Sequence, residues 1–140
     1  MNIEELKRQS ETRQVKVVFK NTTNDQDTLF GGTALQWMDE VAYITATRFC
    51  RKKVVTISAD NINFEKPIPF GTIVELVGKV KRAGIMKLEI NVEIFVEQKY
   101  TSKREKAVEG SFYFAAIDVH NKPVKLMADE DIVLKNKHKL

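Results

Sequence analysis

The stretch that constrains this chain most is "MKLEINVEIFVE", residues 86–97, in which Met86, Leu88, Ile90, Val92, Ile94 and Val96 alternate with Lys87, Glu89, Asn91, Glu93 and Glu97. A period of two over twelve residues specifies a strand with its two faces in different surroundings, so one face must be buried. Strand patterns also surround it. "KVVTISADNINFEKP" is rich in β-branched residues up to Pro67, and its apolar phase moves from Val55, Ile57 and Ala59 to Ile62 and Phe64, which predicts a bulge near Asp60 and Asn61. In "GTIVELVGKVKRAG" Val74, Leu76 and Val80 alternate with Glu75, Lys79 and Lys81. After the charged connection "QKYTSKREK", the run "AVEGSFYFAAID" leads into the turn "HNKP".

One segment has the other period. From Gly32 to about Phe49 there is neither Pro nor a further Gly, and Leu35, Met38, Ala42, Thr45, Ala46 and Phe49 recur at three-and-four spacing, as on the core face of a helix. With "VKVVF", Val15 to Phe19, ahead of it as a short strand, the order is strand, helix, then four long strands. Such an order excludes a parallel βαβ repeat. It predicts an α+β fold, an antiparallel sheet with one long helix on one face. The expected organisation is a charged lead-in over 1–14, a single domain over 15–125, and a basic tail over 126–140 that forms a surface helix or frays.

At 140 residues the chain can bury a core without disulfide or metal support, and the lone Cys50 with His120 and His138 offers no zinc-ligand spacing, so no metal is expected. The charged start "MNIEELKRQSETRQ" lacks a secretory apolar region, and no apolar run approaches the roughly 18 residues that span a bilayer. A soluble, cytoplasmic protein is the expectation. The net charge of +4 comes from lysines and arginines interleaved with 19 acids, without an arginine-rich helix or an aromatic-basic strand, which argues against nucleic acid. The excess suits either an ordinary solvated surface or an anionic small molecule.

Two features of the helix carry chemistry. Asp39 lies one and two turns from Leu35, Ala42 and Ala46, at the border of the apolar stripe, whereas Glu40 points to the polar side with Gln36 and Thr47. A partly buried carboxylate is costly without a partner, so Asp39 either does chemistry or accepts a hydrogen bond that orients the helix. Gly31 and Gly32 precede the helix, where unpaired N–H groups and the positive dipole end collect. They serve either a tight turn or an oxyanion.

The pattern of Asn24, Phe30, Gly31, Gly32, Leu35, Trp37, Met38 and Asp39 resembles the signature of the hotdog-fold acyl-CoA thioesterases of the YciA and cytosolic acyl-CoA hydrolase type. "VVTISADNINFEKPIPFG" and "GSFYFAAIDVHNKP" are similar to two further strands of that family, so the resemblance runs from about residue 15 to 125. It implies a long central helix wrapped by a curved antiparallel sheet, and a homodimer with its sheets joined edge to edge and its active site between protomers. Such dimers often assemble into hexamers, as trimers of dimers. Asp39 would then be general base or nucleophile, Asn24 of the facing protomer would position water or thioester, and the Gly32 amide would polarise the carbonyl. Phe30, Gly31 and Trp37 would adjoin the substrate, Trp37 and Val41 being equally suited to core or dimer packing. No cofactor is implied beyond the CoA that the substrate carries.

The chain departs from the pattern in two places. Asp27 stands where the family commonly has Gly, and "GIMKL", Gly84 to Leu88, replaces a polar G-R-[TS]-S-[ML] that helps hold CoA. Lys66, Arg82 or Lys87 would have to supply the missing cation. A hotdog dehydratase needs a histidine near the helix, and neither His120 nor His138 is near it. The rival from another class is a non-catalytic acyl-thioester binding or sensing module, which keeps the slot but does not need the carboxylate.

Overall fold

The structure is a computed structural model, described here for residues 2–126. The basic tail expected at the C-terminus, and His138 with it, lies outside those residues except for Leu126, which is buried and donates its N–H to the Ile85 carbonyl at 2.8 Å.

The charged lead-in is structured. Ile3–Ser10 forms helix α1, capped by Asn2, whose side chain accepts from the Glu5 N–H, and it buries Ile3 and Ser10. It packs on the long helix α2, Gly31–Cys50. Between them lies β1, Thr12–Val17, followed by a 3-10 turn at Lys20–Thr22. Three long strands, β2 (Val54–Phe64), β3 (Ile73–Ala83) and β4 (Lys87–Glu97), are joined by β5 (Arg104–Ile117) and the two-residue β6 (Pro123–Val124). They make one sheet in the order β1-β3-β4-β5-β2, with β6 on β5 and every pairing antiparallel. The helix α2 covers one face.

The alternation in β4 has the expected consequence, since Leu88, Ile90, Val92 and Ile94 are fully buried under α2. The helix rests almost on the backbone of β3: a side chain at Gly78 would meet Thr45 Oγ1 at 2.6 Å and Val41 Cγ1 at 2.8 Å. Only glycine allows so close an approach. The predicted bulge in β2 is present, with a register shift between Asp60 and Asn63 and Asn61 at φ 53°.

Two expectations of burial turn out differently, and β1 is largely exposed. In β1 and just beyond it Val15, Val17 and Phe19 point to solvent, while Val18 is buried. Met86 precedes β4 and is exposed. Glu89, placed by its alternation on the wet face, is only 2% exposed. A buried carboxylate needs compensation, and Arg82 opposite it supplies two bonds, Nε at 2.8 Å and Nη2 at 2.7 Å. Burial pushes its carboxyl up, but Arg82, together with Ser111 and Tyr113, outweighs that and the net shift is downward.

Candidate active site

The start of α2 is bare. Its N-cap residue Phe30 has no side-chain oxygen to offer, no acid lies in the first turn, and the first intrahelical bond runs from Ala34 N–H to the Phe30 carbonyl at 2.9 Å. The amides of Gly31, Gly32 and Thr33 thus have no acceptor from the helix itself. A Cβ at Gly32 would meet nothing within 4 Å, so its backbone faces open space, while a Cβ at Gly31 would lie 3.5 Å from the ring of Phe64.

Two turns on, Asp39 is half-buried at the edge of the core, as the helical phase predicts. Its Oδ1 accepts the hydroxyl of Thr56 on β2 at 2.8 Å, a bond between elements that fixes one oxygen of the carboxylate and leaves the other available. Thr56 is not among the residues that the sequence singles out. Its only signal is the alternation of β2, which puts Thr56 opposite Phe114 on the helix-facing side. Asp39 and Thr56 together form the wall between two cavities. One, of about 420 Å³, is lined by Gly32, Leu35, Gln36, Ala59 and Phe112 as well, and the other, of about 380 Å³, by Glu40, Tyr43 and Ile44. The carboxylate and the bare helix start therefore face one space.

Asn24 stands apart from that space, in the loop before α2. Its Oδ1 accepts the N–H of Gln26 at 3.0 Å and both the N–H and the hydroxyl of Thr28 at 3.1 Å, which leaves its Nδ2 donor uncommitted among the described residues. Asp27, at the glycine position, adopts φ 58°, a left-handed conformation that Asp tolerates. The remaining sequence candidates do not converge on Asp39. Phe30 is half-exposed beside Gly31, and Trp37 lies under the Lys16 ammonium, 5.0 Å from its ring centre. Arg82 is held by Glu89, and Lys66 pairs with Glu105 at 2.9 Å. Lys87 lines a shallow cavity with Ser58, Asp60 and Tyr113.

A long helix on one face of a six-stranded antiparallel sheet, with a carboxylate and an uncapped N-terminus at the same opening, defines a hotdog fold. The chain belongs to the Thioesterase superfamily, which residues 26–103 match. It is 36% identical over 124 residues to the uncharacterized acyl-CoA thioester hydrolase YkhA of Bacillus subtilis, spanning 85% of this chain and 72% of that protein. The acyl-CoA hydrolase of Staphylococcus aureus, solved with butyryl-CoA, CoA and CoA disulfide, superposes with a TM-score of 0.82 at 34% identity, over 85% of this chain and 73% of that one. An apo-hexameric acyl-CoA thioesterase gives 0.82 at 28% identity, over 98% and 88%. Among the described residues no group of His, Cys, Asp and Glu could hold a metal, and no helix is long and apolar enough to cross a membrane.

Proposed function

We propose that this chain is an acyl-CoA thioesterase, hydrolysing an acyl-CoA to the free acid and CoA, and that it works as a homodimer further assembled into a hexamer in the cytoplasm. The observation that carries the reading is the Asp39 carboxylate, held by Thr56 at 2.8 Å, in one cavity with the open backbone of Gly32. A thioester carbonyl is electrophilic and its thiolate leaves readily, so a base and one oxyanion donor suffice. As general base, Asp39 takes the proton of a water whose oxygen bonds to the acyl carbon. The Gly32 N–H holds the oxygen that gains charge, and collapse breaks the C–S bond, the sulfur leaving with the proton. As nucleophile, the Asp39 carboxylate would bond to the acyl carbon as the C–S bond breaks and CoA leaves as thiolate, and water would then open the mixed anhydride, releasing the acid and restoring Asp39.

The Nδ2 of Asn24, unused in its own protomer, suits a donor reaching into a facing copy. In the S. aureus hydrolase, Asn, Asp and Thr variants were solved at positions 15 and 17 residues apart, the separations of Asn24, Asp39 and Thr56. Thr56 thereby joins the proposed site. Leu35, Ala59 and Phe112, which line the same cavity as Gly32, give the acyl chain an apolar wall. For the phosphates of CoA, Lys87 is the best placed of the three cations, because Arg82 is held by the buried Glu89, while Lys66, which shares Glu105 with Lys103, lines a recess apart from Asp39.

Free-thiol release from short, long, branched and aryl acyl-CoAs tests the reading, with wild type beside Asp39→Asn. The expected result is turnover in the wild type and a loss of about a thousandfold or more in the variant at unchanged oligomer size and melting. A well-folded oligomer that binds acyl-CoA but releases no thiol, and whose Asp39→Ala variant binds equally well, would be a binding or sensing module instead.

A further inference from the structure

A recess of about 260 Å³ lies between the β2–β3 loop and the β4–β5 hairpin and shares no lining residue with the cavities at Asp39. Its lining is Pro67, Pro69, Val96 and Ala107, with Thr72, whose hydroxyl is spent on the Pro69 carbonyl at 2.7 Å, and the polar Lys66, Gln98 and Glu105. It opens where the apolar face of β4 runs out of cover: Leu88 to Ile94 are sealed under α2, but Val96, next in the same phase, is only half-buried. The mouth is unevenly charged. Glu105 is one carboxylate shared by two ammonium groups, Lys66 at 2.9 Å and Lys103 at 3.3 Å, so Lys66 does not have a carboxylate to itself. Those lysines hold the Glu105 carboxyl below its ordinary value, Lys66 contributing most.

We propose that this recess binds a short aliphatic carboxylate, its head group on Lys66 and its chain against Pro67, Pro69, Val96 and Ala107. Size sets the chain length. At about 30 Å³ per heavy atom, the share of a molecule in liquid water, the recess takes eight or nine heavy atoms, the content of a six-carbon acid. A dry wall with a single cation at one end selects an acid over a neutral alcohol of the same length.

The recess also touches the loop that carries Asn24. Pro69 bridges to Thr28, Leu29 N–H donates to the Ile68 carbonyl at 2.8 Å, and Phe70 N–H donates to the Asp27 carbonyl at 2.8 Å. Thr28 in turn holds the Asn24 side chain by two hydrogen bonds. An occupant leaning on Pro69 stiffens that loop. On the thioesterase reading, the occupant has the chemistry of the reaction product, so the recess senses free acid; the binding itself does not rest on that reading.

The test is titration of the intact oligomer with hexanoate, followed at the methyl groups of Val96 and Ala107, with amide exchange at Thr28 and Leu29 as a second readout. Hexanoate should shift both methyls and slow both amides. Lys66→Met should weaken binding by about tenfold or more, and hexanol should bind wild type more weakly by a similar factor. The proposal is overturned if the methyls stay unmoved up to about 10 mM, if shifts appear only at Leu35 and Ala59, or if Lys66→Met binds as wild type does. Hexanoate binding by a protein that turns over no acyl-CoA would sink the thioesterase reading alone, and turnover without binding would sink this proposal alone.

Discussion

The Gly32 amide can be removed without disturbing the helix that carries it, which makes the oxyanion role separable from a structural one. Gly32 is the second residue of α2, and its N–H has no intrahelical acceptor, so proline at this position forfeits no helical hydrogen bond. Within its own protomer nothing lies within 4 Å of where a Cβ would stand, so a methyl is accommodated there. Gly32→Ala keeps the N–H. It should leave kcat within about threefold and stabilise the helix by up to about 1 kcal/mol, since alanine loses less conformational freedom than glycine. Gly32→Pro removes the donor, and loss of one such donor costs about 10²–10³ in kcat, or about 2.7–4 kcal/mol of transition-state stabilisation. The assay is thiol release at saturating acyl-CoA, with oligomer size and melting measured on both variants. Turnover within tenfold of wild type in a folded Gly32→Pro protein would refute the oxyanion argument. Equal damage from Gly32→Ala would show that the glycine serves the turn.

Thr56→Val keeps the shape of the side chain and deletes its bond to Asp39. A hydrogen bond to a charged group is worth about 1.5–3 kcal/mol, so kcat should fall by about tenfold to 150-fold with little change in KM; a rise in KM alone would make Thr56 a substrate contact. Arg82→Met removes the closest partner of the Glu89 carboxylate, leaving it Lys81 at 3.9 Å together with Ser111 and Tyr113, and should lower stability at pH 7 in denaturant unfolding. In wild type the Glu89 carboxyl is depressed, so its contribution is present above the ordinary carboxylate range and is lost as pH falls through the folded value. The deficit of the variant should therefore be full at neutral pH and narrow below about pH 4.5, and a pH-independent deficit would contradict the assignment. Gly78→Ala places a methyl 2.6 Å from Thr45 Oγ1 and 2.8 Å from Val41 Cγ1, and should cost about 1–3 kcal/mol, seen as a drop of several degrees in melting temperature.

The helix and the order of strands are legible in the sequence because each rests on a local period: Gly32 to Phe49 on three-and-four spacing, residues 86–97 on alternation. Asp39 is legible for the same reason, since its phase puts it at the margin of the buried stripe. What local periodicity cannot see is pairing across the sheet. Glu89 has the phase of a solvated residue, and only its register with Arg82 on β3 and Tyr113 on β5 makes it a buried ion pair. Thr56 is another such case, invisible until β2 is laid against α2. The helix α1 is hidden because its apolar content is small; Ile3 and Leu6 lie among charges and become a packing face only when α2 is there to receive them.

The misfit of β2 is the most informative. Its β-branched alternation reads as a strand with a dry face, yet from Val55 to Phe64 every residue but Ile62 is exposed, Val55, Ile57 and Phe64 among them. An eleven-residue apolar strand at the edge of a sheet is a hazard in a lone protomer, because its unpaired N–H and C=O groups invite any other strand. Phe30 and Tyr43, at the two ends of the Asp39 region on α2, are half-exposed as well. On the proposed homodimer this face is an interface, and a second copy pairing along β2 would cover the strand and roof the cavities at Asp39 together. The same step would bring a donor such as Asn24 to a carboxylate that its own chain keeps apart from it. On that proposal folding and catalysis would have one requirement in common: the contact that pairs the exposed edge of β2 would also complete the site around Asp39.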